Sequence, residues 1–386
     1  MGAPSAVVVA AARSPIGRAV KGSLRDVRAD DLAATIVTAA LEQVPELDPR
    51  DLDEIVMGCG QPAGEQGYGI GRVVAVLLGL DAVPAATVQR YCASSLSAAR
   101  SAFHAIVAGE ASAVVAAGVE SISRYAAGKS DGMPDTRNPL FAAGGLPDVY
   151  LPMGLTAENV ARLRGVGRAE QDAFAALSQQ RAERARESGF WAREITPVKA
   201  PDGTLVTQDD SPRPGVTEAG LAALKPVFRE DGTVTAGNCC PLNDGAAALV
   251  IMSDRRAADL GITPLARIVA TGVSALSPEI MGLGPVESSR RALATAGMTI
   301  DDIDLVEINE AFAAQVLPCC ADLGADLSKV NPFGGAIAVG HPYGMTGARM
   351  IGTAVNGLRE RDGSLALVTL CAAGGQGLAM VLERCS

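Results

Sequence analysis

Val88-Gln89-Arg90-Tyr91-Cys92-Ala93-Ser94-Ser95-Leu96 and Leu365-Ala366-Leu367-Val368-Thr369-Leu370-Cys371-Ala372-Ala373-Gly374-Gly375-Gln376-Gly377 are built alike. In each, an apolar, strand-like approach delivers a cysteine to a turn. An alanine-rich helical stretch follows Cys92 at once, and a glycine loop follows Cys371. Between them in the chain stands a histidine bracketed by glycine and proline, Gly340-His341-Pro342.

Both stretches belong to longer segments of one style. Residues 5–122 alternate short apolar strands with helical segments: Ala6–Ala10, Asp31–Leu41, Asp53–Met57, the helix after Cys92, then Ala113–Ala117. Residues 265–386 repeat the style. Leu265–Val273 reads as a strand, Glu287–Ala296 as a helix and Asp304–Ile308 as a strand. Arg349–Leu358 then reads as a helix before the strands Leu365–Leu370 and Leu378–Leu382. Such alternation predicts an α/β fold with parallel sheets covered on both faces. Two similar halves imply an internal duplication, with a site where they meet.

The middle, roughly 123–244, is richer in Pro, Gly and charge. It holds one clear amphipathic helix, from about Arg168 to Glu187. Phe174, Leu177 and the intervening alanines are placed inward, and Gln179, Arg181, Glu183, Arg184 and Arg186 toward solvent. Arg162, Arg164, Arg168 and Arg193 give this segment a local positive excess. That excess reads either as a solvated face or as the place where an anionic ligand lies.

At 386 residues the chain has room for two or three domains. Hydrophobic residues make up 48% and aromatics 3%, with 43 glycines, so Ala, Val, Leu and Ile must fill the interior. The net charge of −10 argues against nucleic acid as a partner. No apolar run is long enough to span a membrane, and the N-terminus lacks the basic-then-apolar pattern of a secretory signal. Eight cysteines without Cys-x-x-Cys spacing predict reduced thiols and a cytoplasmic location. Two histidines make a zinc site improbable.

Cys92 is the candidate nucleophile. The unpaired N–H groups of a helix start favour a thiolate, and small neighbours let backbone N–H groups face a developing oxyanion. The alternative is a buried structural cysteine, the reading given to Cys59, Cys319, Cys320 and Cys385. His104 sits mid-helix and reads as structural, which leaves His341 as the imidazole base. Asn309 follows the strand Asp304–Ile308, at the end of a strand where open α/β sheets place ligands. It reads as a ligand-positioning amide, as a helix N-cap, or as both. Two thiols and one imidazole suit sulfur-based acyl transfer.

At these segments the chain resembles the thiolase family. The matching motifs are Cys92-Ala93-Ser94-Ser95, Asn309-Glu310-Ala311-Phe312, Gly340-His341-Pro342-x-Gly344 and the Cys371 glycine loop. Others are Gly154 to Ala161, Thr235-Ala236-Gly237-Asn238 and Asn243-Asp244-Gly245-Ala246-Ala247. The resemblance runs in order over nearly the whole chain. It implies the thiolase fold, two duplicated α/β halves in a five-layer αβαβα arrangement with an inserted loop domain. The N-terminal half would be 1–122 with 245–264, the coenzyme A-binding loop domain 123–244, and the C-terminal half 265–386.

The resemblance also implies an acyl-CoA C-acyltransferase with coenzyme A as substrate, no permanently bound cofactor, and a homodimer or homotetramer. Cys92 would carry the acyl group, His341 activate it, and Cys371 protonate the leaving enolate. His341 and a water on Asn309 would hold the enolate oxygen, and the N–H groups of Cys92 and Ala373 would form a second oxyanion hole. Arg213 would lie by the adenine and Leu224, Phe228 and Ala236 along the pantetheine. Cys240 stands where the family commonly has a pantetheine-contacting serine, and Met153 and Phe312 would border the thioester.

Several positions depart from the family pattern. Ala373 replaces the usual glycine two residues after the second cysteine, which would be strained if that position needed positive φ. Pro152 stands where acetoacetyl-CoA-forming members often carry histidine. Tyr343 and Phe333 would reshape the acyl pocket. Two rival readings stand beside it: a ketosynthase-type condensing enzyme of the same fold, which usually has a second histidine at the position of Asn309 and lacks the second cysteine, and a non-catalytic acyl-CoA- or lipid-binding relative.

Overall fold

A computed structural model of the chain describes residues 3–127, 138–141 and 145–385. Nine strands run through one large sheet: β1 Ala6–Arg13, β2 Glu54–Cys59, β3 Ala85–Val88, β4 Ala113–Ser121, β5 Asn243–Ser253, β6 Ala266–Ala275, β7 Leu305–Ile308, β8 Leu365–Ala372 and β9 Gln376–Arg384. Their order is β7-β8-β9-β6-β1-β5-β4-β2-β3, with the two-residue strand Gly17–Arg18 added on β5. The main helices are α1 Ala29–Leu41, α2 Ile70–Leu77, α3 Ser94–Ala108, α4 Met153–Arg164, α5 Arg168–Glu187, α6 Gly284–Ala296, α7 Ala313–Leu323 and α8 Thr346–Glu360.

The duplication is written into the pairing. Outward from the centre, β1 pairs β5, β5 pairs β4, and β4 pairs β2; in the other half β6 pairs β9, β9 pairs β8, and β8 pairs β7. In both halves the first two pairings are antiparallel and the third parallel. β3 continues the first half in parallel, and a single parallel bridge, Val306 to Val330, stands in its place in the second. The halves join through β1 and β6 at Val7–Arg267 and Val8–Ala266.

The sheet is therefore mixed, which corrects the expectation of parallel sheets. Alternation along the sequence reports that helices cover strands. The direction of β5, the last strand of the first half, depends on long-range pairing, which alternation does not encode, whereas β9 turns back on β8 through the short glycine loop.

Helices α1 and α2 cover the outer face of the first half, and α6 and α7 that of the second, while α3 and α8 lie between the halves. Leu96, Ala99 and Ala102 of α3 and Ile351, Ala354 and Leu358 of α8 interlock with Val8, Leu249, Val368 and Leu370 in one central core. Every position of β4 and β5 is buried, as strands with both faces covered require. Small residues let the layers close tightly. At Gly344 a Cβ would lie 2.2 Å from the Val119 carbonyl, so only glycine lets this loop rest on β4.

The middle segment is stapled to the first half by charge. Arg13 of β1 donates to Glu194 (3.2 Å) and Asp209 (2.8 Å), all buried. Helix α5 forms over the expected residues, but Gln179 is buried. Its side-chain oxygen accepts from the Arg213 N–H (2.9 Å) and its amide donates to the Ile337 carbonyl (3.3 Å). The middle segment folds over this helix and covers a face that would otherwise meet water. Arg181 is likewise half-buried, donating to the Val330 and Leu327 carbonyls.

Three of the four arginines noted there are paired within the protein: Arg164 with Asp322, Arg168 with Asp172 and Arg193 with Glu360. Cys59, Cys319 and Cys320 are buried, but Cys385 is exposed, because it lies just past the end of β9. His104 faces solvent on α3, beside Phe103, and takes no part in the core.

Candidate active site

Cys92 sits in a one-turn 3₁₀ segment, Tyr91–Ala93, that runs directly into α3. The turn is pinned by Ser94, whose hydroxyl donates to the Tyr91 carbonyl (2.6 Å) and accepts from the Arg90 N–H (2.9 Å). Tyr91 has φ +45°, a left-handed conformation that costs a residue with a Cβ about 1 kcal/mol or more. The Ser94 hydroxyl, bonded to its carbonyl, holds it there. The turn lies against β8, the strand that carries Cys371.

Asn309 follows β7, and its N–H bonds the Thr369 carbonyl of β8 (3.0 Å), which sets Asn309 beside the Cys371 end of that strand. It is not a helix cap, since α7 begins at Ala313 with Phe312 in the cap position. Its amide instead meets the imidazole, with Nδ2 3.3 Å from His341 Nε2. Its Oδ1 is buried and has no partner among the described residues.

His341 follows Gly340, whose φ of +111° and tight fit against Ile16 and Asn243 leave no room for a side chain. The His341 N–H donates to Asn243 Oδ1 (2.9 Å). Its Nδ1 lies 2.7 Å from the Thr346 hydroxyl, which donates to the Pro342 carbonyl (2.7 Å). With the Thr346 proton committed, Nδ1 must carry the ring hydrogen, and Nε2 presents its lone pair. Sequence reasoning missed Thr346. Its signal is a hydroxyl residue five positions after the histidine, where α8 begins.

Glu120, also missed, ties the halves together. Its carboxylate accepts from the N–H groups of Gly60 (2.8 Å), Gln61 (3.2 Å) and Gly344 (2.9 Å) and from Gln66 (3.1 Å). Burial raises its pKa to about 7.

Electrostatics correct one expectation. Burial pushes the Cys92 thiol well above its ordinary pKa, and the nearby Cys371 and Glu120 add to this. The N–H groups of Cys92 and Ala373 face the Cys92 sulfur and pull the other way without winning. The helix start is outweighed by desolvation. Cys371 is fully buried and raised by burial to about 12. Burial, with the positive charge of Arg349, pushes His341 down to about 3. At rest the imidazole and both thiols are neutral.

This yields a measurable pH dependence. The folded His341 pKa lies below its ordinary 6.5, so the unfolded chain binds the proton first as pH falls. The contribution of this group is complete above about pH 6.5 and is lost toward pH 3. Between pH 6.5 and 4, wild type is expected to lose about 3 kcal/mol more stability than His341→Gln. Urea unfolding at both pH values checks this, and equal losses would contradict the buried neutral imidazole.

Ala373 opens the turn between β8 and β9, and positive φ falls on Gly374 and Gly375 instead. Alanine at 373 is therefore unstrained, contrary to the concern raised by the sequence. Cys240 is half-buried and close enough to feel the charge of Cys92 and Cys371. Met153, Phe312 and Cys371 share one apolar cluster. Phe228 meets Phe312 edge-on, with centroids 6.3 Å apart. Leu224 packs over Gly237, and Arg213, Ala236 and Gly237 line one cleft.

Leu224 and Phe228 are each 37% exposed, so a path of apolar residues leads from the surface through Phe228 and Phe312 to the cluster that holds Cys371. Tyr343 stands edge-on to His341 with centroids 5.2 Å apart, at the site as anticipated. Phe333 does not. It stacks on Phe190 at 3.8 Å in the central core. Among the described residues no three His, Cys, Asp or Glu side chains group as metal ligands.

Residues 6–255 match the family model for the thiolase N-terminal domain and 262–384 that for the thiolase C-terminal domain. The chain belongs to the thiolase family. It is 46% identical to a beta-ketoadipyl-CoA thiolase of Pseudomonas aeruginosa, over 97% of this chain and 98% of that protein. To a 3-ketoacyl-CoA thiolase of Cronobacter sakazakii it is 44% identical, over 98% and 99%. The crystal structure of human mitochondrial 3-ketoacyl-CoA thiolase in complex with CoA is similar at a TM-score of 0.90. That likeness covers 99% of this chain and 98% of the human one at 37% identity. The thiolase fold expected from sequence is thus present.

Proposed function

We propose that this thiolase cleaves a 3-ketoacyl-CoA with coenzyme A into acetyl-CoA and a shortened acyl-CoA, and runs the reverse Claisen condensation. It is an acyl-CoA C-acyltransferase. The observation that carries the reading is the convergence of Cys92, the His341–Asn309 pair and Cys371 from four distant segments.

Cys92 and His341 both rest neutral, so the thiol proton passes to His341 Nε2 as sulfur attacks the 3-keto carbon. The carbon–carbon bond then breaks, leaving the acyl group on Cys92 and the electron pair on the acetyl-CoA enolate. Cys371, a thiol at neutral pH, returns a proton to that carbon. The proton on His341 passes to the Cys371 sulfur, and coenzyme A then attacks the thioester, its thiol proton moving through His341 to the departing Cys92 sulfur. His341 and a water held by Asn309 Oδ1 would stabilise the enolate oxygen, and the N–H groups of Cys92 and Ala373 the tetrahedral oxyanion. Each such donor is typically worth about 3 kcal/mol.

Coenzyme A would follow the apolar path, with Arg213 by the adenine, Leu224, Phe228 and Ala236 along the pantetheine, and Cys240, Met153 and Phe312 near the thioester. The domain division 1–122 with 245–264, 123–244 and 265–386 belongs to the same reading, supported by the repeated strand order on either side of the middle segment. So does a homodimer or homotetramer: β3 is an edge strand with four half-buried, largely apolar residues, a surface suited to pairing with a second copy. Eight free thiols suit a reducing cytoplasm.

Acetoacetyl-CoA, followed by the absorbance of its magnesium enolate, is expected to disappear only when coenzyme A is added. A panel of longer and dicarboxylic 3-ketoacyl-CoAs then ranks the acyl preference. No coenzyme A-dependent loss with any member of the panel would overturn the reading.

A further inference from the structure

We propose that Gln315 is a positioning residue for Cys371, serving that sulfur in both of its protonation states. The inference rests on the acid–base role given to Cys371 above.

Gln315 lies in the first turn of α7 and is completely buried. Its neighbours Met281, Ala311, Phe312 and Ala314 belong to the apolar cluster that contains Cys371. Burying an amide among such residues is costly unless its hydrogen bonds are made. Here only half are. Oε1 accepts the Cys371 thiol at 3.4 Å, while Nε2 has no partner among the described residues. The segment Pro278–Leu283 closes over it, since a Cβ on Gly282 would lie 2.6 Å from Gln315 Cβ. The stem is therefore fixed, and only the terminal amide can reorient.

A glutamine kept for packing alone would be satisfied on both sides or replaced by an apolar residue. This one has an unused donor beside a sulfur whose charge alternates. While Cys371 is a thiol, S–H has Oε1 as its acceptor. Once that proton has moved to the enolate carbon, the sulfur keeps the electron pair and needs a donor. A half-turn of the amide brings Nε2–H onto the thiolate. Burial raises the Cys371 pKa, so the thiolate depends on such a donor. Acyl loading of Cys92 involves no proton transfer at Cys371 and leaves Gln315 idle.

The test separates those two steps in the full-length protein. Intact-mass spectrometry follows acyl loading of Cys92 from a simple acyl-CoA. Deuterium uptake from solvent into the acetyl-CoA methyl group follows the proton step. Gln315→Leu and Gln315→Met are both expected to load Cys92 within about threefold of wild type and to slow uptake roughly 10- to 100-fold. Both lack the amide's acceptor and its N–H donors.

Wild-type uptake in either variant would overturn the proposal. Equal loss of loading and uptake would mean a structural role and would also overturn it. Should Gln315→Leu not fold, the unbranched Gln315→Met carries the same comparison. Wild-type protein that neither loads nor exchanges would instead sink the underlying reading of Cys371.

Discussion

Cys92→Ser is expected to lower turnover roughly 10³-fold or more in both directions, with the fold intact. The exchange is nearly isosteric, and Cys92 sits in a turn held by bonds to Ser94 and Arg90 rather than to its own sulfur. The chemistry is where the loss falls. Burial already places the thiol high, so catalysis depends on transferring its proton to His341 during attack. A serine hydroxyl starts several units higher still, and His341, held near 3 while unliganded, is too weak a base to bridge that gap. Steady-state cleavage of acetoacetyl-CoA, with unfolding curves for both proteins, provides the check. A variant retaining more than about a tenth of wild-type turnover would remove Cys92 from the nucleophile's role.

Most of the architecture was legible because its signals are local. The strands beginning at Ala6, Ala113 and Leu365 and the helix Arg168–Glu187 follow from apolar runs and helical spacing. Strand direction was not, since the antiparallel pairing of β5 with both β1 and β4 joins residues more than a hundred positions apart. The site divides the same way. Cys92, His341, Asn309 and Cys371 announce themselves through turn chemistry. Thr346, Glu120 and Gln315 look ordinary in sequence and acquire meaning only from what they touch. Gln179 and Phe333 were misplaced for a related reason: helical spacing and motif position do not say which other segment will cover a face. The thiolate expected of Cys92 failed on magnitude. A few N–H groups at a helix start offset only part of the cost of charging a sulfur in a dry interior.

The second large effect divides the reaction at the other sulfur. Cys371→Ala is expected to abolish cleavage and condensation, by roughly 10²- to 10⁴-fold, while still accepting an acyl group onto Cys92 from a simple acyl-CoA. Loading needs a nucleophile, a base and an oxyanion hole, which Cys92, His341 and the N–H groups of Cys92 and Ala373 supply. None of these is a side-chain atom of Cys371. Cleavage differs because it leaves a carbanion equivalent that must be protonated before acetyl-CoA departs. The next buried thiol, Cys319, is already committed to the Gly282 carbonyl at 3.2 Å. The variant should therefore stall as an acyl-enzyme, visible by intact mass as one added acyl group that Cys92→Ser does not retain as a thioester. A Cys371→Ala protein that cleaves at the wild-type rate, or that takes up no acyl group at all, would show that the two sulfurs do not divide the work in this way.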